Sequence, residues 1–115
     1  MGARRATVAE VKEDLLLAEI VRRMVEVYRP ERIYLFGSTA RGDAGPDSDY
    51  DLMIVVPDDA PATLKNPDAG YRAVEGLPRS GDFLVWSRED FEKRLHLRAS
   101  LPATIVREGE LLYAT

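Results

Sequence analysis

Asp49 and Asp51 stand one residue apart in DSDYDLMIVV, at the head of a strongly apolar run. Side chains alternate across a strand, so the two carboxylates share a face. Their Cα atoms lie about 6–7 Å apart at a rise of roughly 3.3 Å per residue. Two flexible carboxylates at that spacing can converge on divalent ions about 3.5–4 Å apart. Without a cation they repel, and at least one holds its proton more tightly. Upstream, ERIYLF ends in Gly37 and Ser38. A strand that ends in Gly-Ser and turns into a helical start exposes backbone N–H groups suited to a phosphate. Gly37 has no Cβ to keep phosphate oxygens away, and the Ser38 hydroxyl adds a donor. A nucleoside triphosphate with magnesium satisfies both elements. Either feature alone is ordinary: Asp-x-Asp at a loop-to-strand junction is commonly solvated, and Gly-Ser after a strand is commonly a turn. Their conjunction across the ten residues 39–48 is far more specific.

Composition narrows the chemistry. With 115 residues the chain fits one domain, residues 1–115, with one core. A 45% hydrophobic content is that of an ordinary globular protein. The formal net charge of -4 leaves no strong footprint for duplex nucleic acid. Cysteine is absent and His96 is the sole histidine, which removes disulfides, thiolate catalysis and Cys/His zinc sites. A metal here is a hard cation on oxygen ligands, magnesium or manganese. The N-terminus shows no signal peptide, and LMIVV is too short to span a membrane, so the expectation is a cytoplasmic protein with no membrane association.

The elements that must position these groups are readable from period and punctuation. Val8, Val11, Leu15, Ala18, Val21, Val25 and Tyr28 recur at steps of three and four, which predicts a helix over 8–28. Thr7 and Glu10 suit a capping box, and Pro30 stops the helix. ERIYLF, DYDLMIVV and GDFLVW are strands, the second apolar on both faces and so buried on both. Residues 38–42 suit one helical turn opened by Ser38, and GDAGPDS is loop chemistry. Residues 57–70 read as a mobile loop, followed by a short helix from about Asp68 to Glu75. Ser87 opens a helix anchored by Phe91 and Leu95, with Asp90 placed as its capping acid. ATIVREG is a last helix stopped by Gly109, and ELLYAT is an edge strand. The sum is a small α/β fold, with a sheet of three to four strands and helices packed on it.

GSTARGDAGPDSDYDLMIVV resembles the signature of the DNA polymerase beta-like nucleotidyltransferase superfamily: Gly-Ser, ten residues, Asp-x-Asp. The resemblance is closest to its minimal members, the MNT proteins. It implies a mixed sheet with packed helices, and transfer of a nucleoside monophosphate, AMP where ATP is the donor, to an acceptor hydroxyl. It implies Asp49 and Asp51 as magnesium (or manganese) ligands and Gly37 and Ser38 as triphosphate contacts. It also implies a third acid on a later strand, sharing a metal and activating the hydroxyl. Asp82 in SGDFLVW is the candidate, beside the plainer reading of a turn aspartate after Gly81. Arg41 either approaches the triphosphate or braces the short helix. Minimal members are often paired with a helical HEPN-type protein in toxin–antitoxin systems, which implies such a partner here.

The remaining candidates have plainer roles. Asp58, Asp59 and Asp68 are solvated loop acids, and Asp43 and Asp47 are loop residues. Tyr50 packs on the face opposite the aspartates, Phe83 and Trp86 are core, and His96 is a surface or half-buried residue. The RRM segment at 22–24 and REDFEKR at 88–94 are exposed helix faces. A non-catalytic module that neutralises a partner by contact is the other class the residues allow. An exposed apolar patch beside the last strand would point to a homo-oligomer.

Overall fold

The computed structural model describes residues 8–37, 40, 49–79 and 81–115, with side chains from residue 15 onward. Helix α1 spans Val8–Tyr28, the range its three-and-four periodicity predicts, but the predicted inward face needs correcting: Leu15, 66% exposed, and Ala18 face solvent. Its inward stripe at steps of four, Ile20, Met24 and Tyr28, is almost wholly buried. Met24 and Arg23 therefore correct the reading of residues 22–24 as an exposed face: Arg22 points outward, but the half-buried Arg23 donates to Ala73 O at 2.9 Å and the Met24 thioether fills the core. The helix ends where Arg29 takes a left-handed φ of 46°, its N–H returning to Val25 O at 2.9 Å. Pro30 follows and disfavours a further helical residue before it. The Thr7 cap lies outside the described residues.

Four strands follow: β1 (Arg32–Phe36), β2 (Tyr50–Val56), β3 (Gly81–Ser87) and β4 (Glu110–Ala114). They form one mixed sheet in the order β3-β2-β1-β4. β1 pairs antiparallel with both β2 and β4, whereas β2 and β3 run parallel. A parallel pair needs a crossover. It contains a 3-10 turn at Ala62–Leu64 and helix α2 (Asp68–Ala73). The turn adds local order within the stretch that composition reads as a mobile loop. Lys65 Nζ donates to Asp58 O at 2.8 Å and helps fold the stretch back on itself. Helices α3 (Arg88–Glu92) and α4 (Leu101–Glu108) precede the edge strand. Both are capped by serines: Ser87 Oγ accepts from Asp90 N, and Ser100 Oγ from Ala103 N, each at 3.2 Å.

Alternation along the strands divides the interior into two layers. Tyr50, Leu52, Ile54, Val56, Phe83 and Val85 face α1 and α2. Met53, Val55, Leu84 and Trp86 face the opposite way, with Phe91 of α3 and Ile105 of α4. Each fully buried side chain of this size contributes about 1.5–3 kcal/mol, so β2, buried on both faces, is the anchor of the sheet. The outer edge of β4 is solvent-facing: Leu111 is 51% exposed, and Leu17, Val21 and Leu112 line an apolar groove nearby. Among the described residues no helix is long and apolar enough to cross a membrane.

Candidate active site

The acids gather at one end of the sheet, where β2 and β3 both begin. Parallel register places Asp51 directly beside Asp82, with Tyr50 beside Gly81 and Leu52 beside Phe83. Neighbouring strands lie about 4.8 Å apart and register partners share a face, so the two carboxylates emerge side by side. Their strand-mates Met53, Leu84 and Trp86 fix that face as the one covered by α3 and α4. Asp49 immediately precedes β2 and is exposed, Asp51 is half-buried, and Asp82 is exposed. Tyr50, between the two aspartates, is buried in the opposite layer.

Gly37 closes the site from the β1 side. It carries a left-handed φ of 74° immediately after Phe36, whose register partner is Asp51. A Cβ built on Gly37 would overlap Asp51 Oδ2 and lie 3.1 Å from its Cγ. The expectation that the missing Cβ makes room for phosphate oxygens therefore needs correcting: the Asp51 carboxylate fills that space. Glycine serves twice, adopting a conformation that strains other residues and admitting the acid against the backbone. Gly81 has a related steric role. A Cβ there would lie 2.7 Å from Tyr50 O and 2.9 Å from Phe83 Cε1, so a side chain would wedge β3 away from β2 where the acids pair.

Ser38 and Arg41 lie outside the described residues, as do Asp43 and Asp47. Asp58, Asp59 and Asp68 are exposed. Asp58 accepts from Glu89 N at 2.8 Å and faces Arg88 at 3.5 Å. His96 is exposed, Phe83 is core, and Trp86 is half-buried in the second layer. Two features escaped the sequence reading. The Arg79 guanidinium sits over the Tyr50 ring, 4.5 Å from its centroid, which brings a fixed positive charge to the acid end of the sheet. A cleft of about 220 Å³ opens between Gly37 and one face of α4. The helical spacing of residues 101, 104, 105 and 108 was its only sequence signal.

Among the described residues no group of three or more carboxylate, imidazole or thiolate side chains is gathered closely enough to hold a metal. Asp49, Asp51 and Asp82 thus do not form a closed three-ligand cage. The donor chemistry still suits magnesium. That ion is usually bound by one or two carboxylates together with water and substrate phosphates, rather than by an all-protein cage. The adjacent pair Asp51 and Asp82 supplies that number on one face.

Comparison with known proteins agrees with this architecture. The nucleotidyltransferase domain family matches residues 16–109. No curated protein matches. Two solved structures share the fold. A candidate nucleotidyltransferase from Sulfolobus solfataricus is 21% identical, with a TM-score of 0.60, over 98% of this chain and 93% of that one. A toxin–antitoxin protein crystallised with AMP-PNP is 19% identical, with a TM-score of 0.54, over 84% of this chain and 72% of that one.

Proposed function

The chain belongs to the nucleotidyltransferase domain family, and from that premise we propose that it moves a nucleoside monophosphate, AMP from ATP, to an acceptor hydroxyl. The observation that carries the reading is the pairing of Asp51 with Asp82, with Asp51 laid against the Gly37 backbone. Asp51 and Asp82 would hold magnesium or manganese together with water and phosphate oxygens, with Asp49 beside them at the head of β2. When bound, the ion offsets charge on the triphosphate and on the departing pyrophosphate. Asp82, the exposed member of the pair, takes the proton of the attacking hydroxyl. The acceptor oxygen bonds to the α-phosphorus, and the bond to pyrophosphate breaks. Gly37, with Ser38 next to it in sequence, would meet the β- and γ-phosphates, with Arg41 as a further cationic contact. Holding both reactants in line supplies much of the rate.

A helical protein of the HEPN type is the partner this reading favours, with this chain as the antitoxin and the partner hydroxyl as an acceptor. The fold shared with a toxin–antitoxin protein supports it. Incubation with α-labelled ATP, magnesium and a cell lysate tests the whole proposal. A labelled acceptor is the expected product. Asp51→Asn should lower labelling about a thousand-fold, roughly 4 kcal/mol of barrier, with the thermal melt nearly unchanged. Labelling at the wild-type rate in that variant refutes the role of Asp51. No labelled product under any condition favours the contact neutraliser instead.

A further inference from the structure

Helix α4 turns Leu101, Thr104, Ile105 and Glu108 towards the end of β1, where Phe36 and Gly37 meet them around the cleft. Positions three and four apart occupy one helix face. Ile105 is buried and forms the floor, while Leu101, 36% exposed, stands at the mouth. Backbone packing fixes one end of the cleft. A Cβ at Gly109 would lie 2.6 Å from both Ile105 O and Leu35 O, so the end of α4 is fixed closely against β1.

The side-chain polar groups of the cleft are alike in character. Thr104 Oγ1 donates its proton to Ser100 O at 2.9 Å, leaving its lone pairs as acceptors. Glu108 offers a carboxylate, 53% exposed, with Arg107 at 3.6 Å on its outer side. Among the described residues no side-chain N–H group lines the cleft. Among the described residues the side chains on the rim offer acceptors and an anionic group, which favours a group that donates. The apolar surfaces of Phe36, Leu101 and Ile105 suit a flat ring. About 220 Å³ falls below the roughly 300 Å³ at which ligand pockets for drug-sized molecules begin, which is room for one ring system.

The cleft starts at Gly37, and across Gly37 lies Asp51. Resting on the reading that the triphosphate is held at this end of the sheet, we propose that the cleft between α4 and the end of β1 receives the nucleobase. Glu108 and Thr104 then select a base that carries an exocyclic amine. The amine donates to the Glu108 carboxylate while Phe36 and Leu101 cover the ring. The triphosphate extends from Gly37 towards β2 and β3, away from the charge of Glu108.

Calorimetric titration in magnesium tests this with two pairs: ATP against purine riboside triphosphate, and GTP against inosine triphosphate. Each pair differs by one amine. The wild-type protein should bind the amino-bearing member of at least one pair five-fold or more tightly. Glu108→Ala should bring that ratio to within two-fold of unity, and Thr104→Val should reduce it, with unchanged circular dichroism in both. A ratio untouched by Glu108→Ala, a wild type indifferent to both pairs, or no nucleotide bound overturns the proposal. So does a Glu108→Ala protein with intact base preference but slowed labelling, which would place the acceptor in the cleft. The readout is binding, so the two readings fail separately. A base preference without any labelling sinks the transferase alone; labelling without a base preference sinks the cleft alone.

Discussion

At the scale of single residues, Gly37 and Asp51 form one unit. The glycine was legible as a turn residue before a helical start, and its left-handed φ of 74° agrees with that. Its second role, as the space into which the Asp51 carboxylate fits, depends on a contact between strands that no local pattern encodes. Gly37→Ala should therefore act in two ways. The left-handed conformation costs a residue with a Cβ about 1–2 kcal/mol, and the new methyl group displaces the carboxylate. Labelling should fall nearly as far as in Asp51→Asn. A double-mutant cycle separates the two effects by chemical denaturation. With Asp51→Ala in place the overlap is gone, so Gly37→Ala should cost only the backbone term. Equal costs in both backgrounds would show that the methyl never met the carboxylate.

At the scale of elements, local signals were enough to place each described strand and helices α1 to α4, but not to pair them, and the helical turn expected over 38–42 lies outside the described residues. Helix α1 runs over Val8–Tyr28 because its apolar period and Pro30 are both local. The Ser87 cap holds because Asp90 N lies within its reach in sequence. Asp82 could be read only as an acid at the start of a strand. That it stands beside Asp51 follows from the parallel crossover of 24 residues between Val56 and Gly81, whose register is set by burying both faces of β2. The 3-10 turn at Ala62–Leu64 was hidden by loop-like composition. The α4 cleft was hidden because a helix face acquires a partner only when the sheet is assembled. Gly81→Ala tests the β2–β3 junction directly. With Tyr50 O at 2.7 Å from the built Cβ, the strands must part or slip. Overpacking of this kind costs about 1–3 kcal/mol, and Asp82 moves with β3. The expected result is a lower melting temperature together with a loss of labelling comparable to Asp82→Asn. A melt lowered with labelling intact would mean that the Asp51–Asp82 pairing is not what labelling requires.

At the scale of the whole molecule, Tyr28 joins regions far apart in sequence. It ends α1, is 2% exposed, and packs in the layer under the sheet. Its Oη donates to Asn66 O and accepts from Gly70 N, each at 2.8 Å, tying α1 to the start of α2. Burial pushes its pKa above the ordinary value near 10, although the Gly70 N–H opposes the shift. The folded state thus holds this proton more tightly than the unfolded chain does. Its contribution to stability is complete below about pH 10 and is lost as pH rises through the raised folded value. Tyr28→Phe removes both hydrogen bonds and leaves the buried Gly70 amide and the partly buried Asn66 carbonyl unmatched, at about 1–3 kcal/mol. Urea unfolding of both proteins from pH 7 to pH 12 should show that difference constant up to about pH 10 and shrinking above it. The subtraction cancels the titration of lysines and of the other tyrosines, which both proteins share. A gap that stays flat to pH 12 would mean that the Tyr28 hydroxyl titrates alike in the folded and unfolded chains, and that its burial does not hold the proton.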